Sequence, residues 1–370
     1  MVSTTLELHE AVELLRKNAY TRTIQDTLCS YTKISIENKT KLQSFLTEKL
    51  SKCTPNIAPD SIRRKVNNWL KKDTFTISKE SAIQLGFALE LTLEETEQLL
   101  MSLCEERFHW RNPEEIIYIY ALTNNLSYIE ATALYNYFAE KGIFTKTNSE
   151  STTIYTNQIK KRVENISNNT ELEEFLITSQ NDLGKFHNTA YSLFTEFLEL
   201  LKNPIMDWEN STIDSLSTKD ILETYLYRNY IPFTKRSKKL TTTTNAEKLV
   251  FSALQRNIRQ SWPDEETISK MQHRKTDVTR KVLMLLFLAT DGGYSSYGEE
   301  TFDVLSPEEE FEDTYTRLES MLVDCGFAKL DPRIPFDWMI LFCLCTNDSL
   351  LIDERVQQFL KEIFPENKPN

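Results

Sequence analysis

The chain has 370 residues, of which 40% are hydrophobic and 26% charged, so it can build two or three packed cores and is too apolar to be a disordered tail. Only 7 glycines and 11 prolines occur, which disfavours closed all-β folds and predicts an all-α chain of helices joined by short polar loops. The formal charge of −12 argues, taken alone, against a polyanionic partner.

Met1 to Lys17 carries Glu7, Glu10 and Glu13 among its apolar residues, a pattern unlike a secretory leader. The longest apolar run, Val282 to Ala289, falls far short of the ~20 residues that a membrane span requires. The six cysteines (Cys29, Cys53, Cys104, Cys325, Cys343 and Cys345) follow no framework spacing and suit reduced thiols. A cytoplasmic protein with no membrane partner is the expectation.

The charge is unevenly spread. From Leu14 to Lys79 there are 14 Lys and Arg against 5 Asp and Glu, a balance of +9, so the rest carries −12 − 9 = −21. Glu299 to Asp324 holds 10 acidic residues and one basic one, Arg317. Such asymmetry predicts a polyanion-binding end and an acidic end suited to solubility or a partner.

In chain order, Lys39 to Leu50 is a helix candidate, and Ser51 to Asp60, containing Pro55 and Pro59, is expected to be a loop. Asp60 is expected to cap a helix from Ser61 to about Lys72. Ile62, Val66, Trp69 and Leu70 form its apolar stripe at i, i+4, i+7 and i+8. Opposite stand Arg63, Arg64, Lys65, Asn67, Asn68, Lys71 and Lys72. Arg and Asn make paired hydrogen bonds to guanine and adenine edges, and Lys and Arg neutralise phosphates, so these seven are the candidate nucleic-acid-binding residues.

Asp73 to Ile77 is a connector, and Ser78 caps the next helix with Ala82, Leu85, Gly86 and Leu89 inward. Thr92-Leu93-Glu94-Glu95 is a capping box opening a third helix, with Leu93, Leu99, Leu100 and Leu103 on one face. The string from Ser78 to Glu95 resembles the last two helices of the Cro/C1-type (XRE) helix-turn-helix family, in which a recognition helix precedes a helix reading roughly Leu-Ala-x-Ala-Leu-x-Leu. The resemblance puts Ser61 to Lys72 in the recognition-helix place and implies DNA contacts from Arg63, Arg64, Lys65, Asn67 and Asn68. Arg111-Asn112-Pro113 and the helix after it look similar to extensions that follow such domains. The family's Gln-containing second helix and tight turn are not legible, and Ser51 to Asp60 exceeds a standard helix-turn-helix turn. Three outcomes stay open: DNA binding, binding of RNA or single strands, or a protein-interaction scaffold that keeps only the helical shape.

Asn112-Pro113-Glu114-Glu115 and Ser127-Tyr128-Ile129-Glu130 start further helices, the latter with Ala131, Leu134, Tyr135 and Phe138 following. Ala88-Leu89 and Ala121-Leu122 each end a helix before a newly capped one, an echo spaced by 33 residues, as in helical-hairpin repeats. Tyr118, Tyr120, Tyr128, Tyr135 and Tyr137 suit a core or a helix groove for a peptide. The polar stretches Thr145 to Thr153 and Thr234 to Asn245 divide the chain into 1–147, 148–239 and 240–370. In the last part Val282 to Ala289 and Trp338 to Cys345 are buried helices, Asp291-Gly292-Gly293 is a turn, and Arg333 to Trp338 leads into the final core helix. Ser306-Pro307-Glu308-Glu309 starts a helix that ends at Gly326.

Neither a Walker lysine loop nor G-x-G-x-x-G is present, and His9, His109, His187 and His273 are scattered. Cys343-Leu344-Cys345 lacks a second Cys/His pair at zinc spacing, and Pro263-Asp264-Glu265-Glu266 suits a helix start better than a nuclease box. No catalytic residue, metal or cofactor is assigned, and an enzyme is not expected. The resulting expectation is a regulator that binds double-stranded DNA through Ser61 to Lys72 and uses its acidic C-terminal part to form a homodimer or sense a partner. The alternative is a protein- or peptide-binding component of a mobile-element or antiviral defence system with a vestigial helix-turn-helix.

Overall fold

Side-chain caps fix where most of the helices begin. The computed structural model describes residues 23–71, 76–144, 156–203, 215–232, 255, 257–290, 307–332, 334–344 and 352–364. Among them there is no β-strand, and the chain is all-α. Two compact units divide it. The first spans Arg22–Phe186 with Gly326–Ala328; the described residues of the second lie within His187–Cys325 and from Lys329 onward.

The first unit contains α1 (Ile24–Thr32), α2 (Lys39–Cys53), α3 (Pro59–Trp69), α4 (Lys79–Ala88) and α5 (Leu93–Cys104). It continues with α6 (Pro113–Thr123), α7 (Tyr128–Glu140), α8 (Thr156–Glu164) and α9 (Asn169–Thr178). Helix α2 packs on α3 and α4, α4 on α5, and α1 on α5, so the first five helices close around Leu28, Leu46, Val66, Leu85 and Leu99. The caps expected at Ser78, Thr92, Asn112 and Ser127 all form, and Thr92 and Ser127 make the full reciprocal box with Glu95 and Glu130.

The breaks expected at 147/148 and 239/240, together with both polar stretches and the Asp291–Gly293 turn, lie outside the described residues. The compact division falls between Phe186 and His187. Its cause is core continuity: Ile159, Val163, Leu172, Phe175 and Leu183 join the same apolar cluster as Ile24.

The hairpins α4–α5 and α6–α7 repeat one another with a spacing that differs from the expected 33. Gly86 and Ala121 accept equivalent bonds from the Leu91 and Leu126 amides, at 3.0 and 2.8 Å. Glu90 and Asn125 take left-handed φ of 56° and 55°, and Thr92 and Ser127 cap the next helix. Each of these pairs is separated by 35 residues, as in 127 − 92. The turn and cap set this register, not the Ala-Leu identity that suggested 33.

The second unit holds α10 (Asn188–Lys202), α11 (Thr218–Thr224), α12 (Glu265–Gln272), α13 (Arg280–Ala289), α14 (Pro307–Asp324), α15 (Pro335–Leu344) and α16 (Ile352–Ile363). Helix α13 is its centre, burying Val282 through Leu288 and packing on α10, α15 and α16. Arg280 donates to both Asp337 carboxylate oxygens at 2.6 and 2.8 Å and to the Lys329 carbonyl at 3.0 Å, which ties α13 to α15 with a satisfied buried pair. Asp264 caps α12 as a helix start, and Gly326 is left-handed (φ 82°) just beyond α14. Trp338 to Cys345 is not the last core helix: α16 follows and buries Ile352, Val356, Phe359, Leu360 and Ile363. Among the described residues no helix is long and apolar enough to cross a membrane.

Candidate nucleic-acid interface

A proline sets the start of the candidate interface. Helix α2 does not stop at Leu50 but runs to Cys53, where the Thr54 amide and hydroxyl both donate to the Leu50 carbonyl at 2.8 Å. Helix α3 then starts at Pro59, whose missing N–H and fixed φ suit the first helical position. The connection is therefore the five residues 54–58, not the ten from Ser51 to Asp60. Asp60 is not the cap. Ala58 occupies that position without a side-chain bond, and Asp60 lies within the first turn. The helix ends at Trp69, with Leu70 as its C-cap, so it does not reach Lys72, which lies outside the described residues.

The apolar stripe is buried as expected. Ile62, Val66 and Leu70 are 2% exposed or less, and Trp69 is 6% exposed. Burying an aromatic and three aliphatic side chains stabilises α3 by several kcal/mol, on the order of 2 per residue. At 100° per residue the outward line opposite the stripe passes through Arg64, with Asp60, Asn67, Asn68 and Ser61 beside it. All five are exposed, as is Lys71 just past the helix end.

Two of the seven candidate residues stand on the flanks. Arg63 is exposed and pairs with Asp60 at 3.3 Å across the helix surface, an arrangement that contributes little stability in water. Lys65 turns inward. Its ammonium donates to Gln84 Oε1 at 3.1 Å and sits 5.4 Å from the centre of the Trp69 ring. Burial holds its pKa below the ordinary lysine value. Gln84 is itself buried and donates to Glu80 at 3.2 Å and to the Tyr128 hydroxyl at 3.4 Å, so Lys65 belongs to a polar chain running from α3 to α7.

Pairing also thins the cationic field of this region. Lys49 is bound by Glu90 and Lys52 by Glu48, both at 2.7 Å. Lys79 contacts Glu115 at 2.8 Å and Glu106 at 3.5 Å; burial alone would lower its pKa, but those carboxylates raise it. Arg64, Lys71, Lys33, Lys39 and Lys41 are exposed and enter no ion pair among the described residues. With the exposed Arg63, whose surface pair with Asp60 is weak, they are cations available to a polyanion.

Of the candidate residues, Arg64, Asn67, Asn68 and Lys71 share one accessible face, Lys65 turns inward, and Asp60 and Ser61, which were not among the candidates, also lie on that face. The missed signal was Pro59, a stronger helix start than an aspartate cap. Of the five tyrosines, Tyr118 and Tyr120 are buried, Tyr128 and Tyr135 half-buried, and Tyr137 exposed. Elsewhere, His187 contacts Asp277 at 2.6 Å, and burial pushes the Cys53, Cys104 and Cys325 thiols up to about 12. Among the described residues no group of three or more His, Cys, Asp or Glu is placed to hold a metal ion. Comparisons of the chain with protein families, with characterised proteins and with solved structures find no match.

Proposed function

We propose that the chain is a DNA-binding regulator whose helix α3 docks in the major groove of a duplex. Arg64, Asn67 and Asn68 address base edges, while Arg63, Lys71, Lys39 and Lys41 neutralise phosphates. The reading rests on one observation: α3 buries its whole apolar stripe while exposing guanidinium, amide and ammonium groups along the opposite side. The short link between α2 and α3 adds support, since it is close to the length of a helix-turn-helix turn. In this reading the acidic C-terminal part pairs two copies, which sets two half-sites about one helical turn, ~34–36 Å, apart.

The test is the affinity of the full chain for duplex DNA as a function of salt. Binding should weaken linearly on a log–log plot, by about 0.9 in slope per phosphate neutralised. The double variant Lys39→Ala/Lys71→Ala should lower that slope by about 2. Duplex affinity that ignores salt, or a slope unchanged in the double variant, contradicts the proposal. The second reading, a protein-interaction component of a mobile-element or defence system, is favoured by Ile129 and Tyr137, each 49% exposed on α7.

A further inference from the structure

Asp60 has the wrong charge for the face it occupies. It lies in the first turn of α3 on the same outward side as Arg64 and Asn67, and its side chain is 73% exposed. In the first turn an outward carboxylate steadies the helix through its dipole, but on a face that meets phosphates it also opposes every unrelated sequence and so lowers general affinity. An ionised carboxylate accepts hydrogen bonds and donates none. In the major groove it is repelled by the N7 and O6 acceptors of guanine and the O4 acceptor of thymine. Adenine offers an amino group but sets an N7 acceptor beside it, whereas cytosine presents its N4 amino group without a neighbouring acceptor. Arg63, 3.3 Å away on the flank, can hold the carboxylate in place while its remaining donors face the backbone.

Resting on the DNA-binding reading above, we infer that Asp60 is a specificity-determining residue: it selects cytosine at one position of the bound site and suppresses binding to unrelated duplex. This assigns α3 a mixed alphabet, with Asp60 for cytosine, Arg64 for guanine and Asn67 or Asn68 for adenine. Discrimination here comes as much from rejection as from attraction.

Selection of the full chain on a random duplex pool, repeated with Asp60→Ala and Asp60→Asn, tests the inference. The native chain should enrich a motif with a fixed cytosine, and replacing that base pair should weaken binding about 5- to 150-fold, the value of one good base contact. Asp60→Ala should lose the preference at that position alone and bind unrelated duplex more tightly. Asp60→Asn should move the preference to adenine, because an amide both donates and accepts. If the native chain binds duplex without a fixed cytosine, or if Asp60→Ala enriches the same motif with the same discrimination, the inference is overturned while DNA binding stands. If no duplex is bound at any salt concentration, the DNA-binding reading itself fails.

Discussion

Helices α3 and α4 are neighbours in the same core and are built on opposite plans. Helix α4 buries eight consecutive residues, Ser81 through Ala88, and so serves as the axis on which α2 and α5 are mounted. Helix α3 buries only Ile62, Val66 and Trp69, half-buries Lys65, and leaves its other residues exposed to solvent. The difference separates scaffold from display: changes to α4 and to the buried side of α3 should act on stability, and under the proposed function changes to the outer side of α3 should act on binding.

Removing the anchor should break the comparison most severely. Trp69→Ala should cost the first unit about 3–5 kcal/mol, the usual loss for a buried tryptophan, read as a lower denaturant midpoint for its unfolding transition. Next comes the axis. A Cβ on Gly86 would lie 2.5 Å from Thr96 Cγ2 and 2.8 Å from Thr96 Oγ1, so Gly86→Ala should cost ~1–3 kcal/mol through overpacking. Thirty-five residues later the same two places, 121 = 86 + 35 and 131 = 96 + 35, hold Ala121 and Ala131, both fully buried. Gly86→Ala combined with Thr96→Ala should therefore recover much of the loss, visible as a favourable coupling in a double-mutant cycle.

The hairpin caps should give smaller effects. Thr92→Ala and Ser127→Ala should each cost ~1 kcal/mol. Hydrogen bonds from the Thr92 backbone and hydroxyl hold the Glu95 carboxyl below the ordinary glutamate pKa, and Ser127 does the same for Glu130. A depressed carboxylate contributes stability above its unfolded-state pKa, and that contribution disappears as pH falls through the folded-state value. The cost of removing either hydroxyl should thus shrink in acid, as denaturation at two pH values would show. The smallest effect on stability belongs to the outer face: Arg64→Ala and Lys71→Ala should each stay within ~0.5 kcal/mol of the native chain while weakening binding to DNA.

What could be read without coordinates was local chemistry. The caps at Ser78, Thr92, Asn112, Ser127 and Asp264 and the stripe from Ile62 to Leu70 follow from hydroxyl, amide and apolar spacing within a few residues. What escaped depended on distant groups or on backbone shape. Lys65 was drawn inward by Gln84, 19 residues on, which no periodicity reveals. The repeat register was set by left-handed Glu90 and Asn125, which lack the glycine that marks such turns. The unit boundary depended on Ile159 and Leu172 joining a core begun at Ile24. Pro59 reads as loop interior although it opens α3, and α16 is not evident although Val356, Phe359, Leu360 and Ile363 carry helical spacing.

The most direct measurement is photocrosslinking of the full chain to duplex DNA from a benzophenone side chain placed at Asn68 on α3, with a second probe at Ile177 on α9 as a comparison; both sites are exposed. The account predicts a salt-sensitive crosslink to bases from position 68 and none from 177. A crosslink from 177 with nothing from 68 would show that α3 is not the surface that meets DNA.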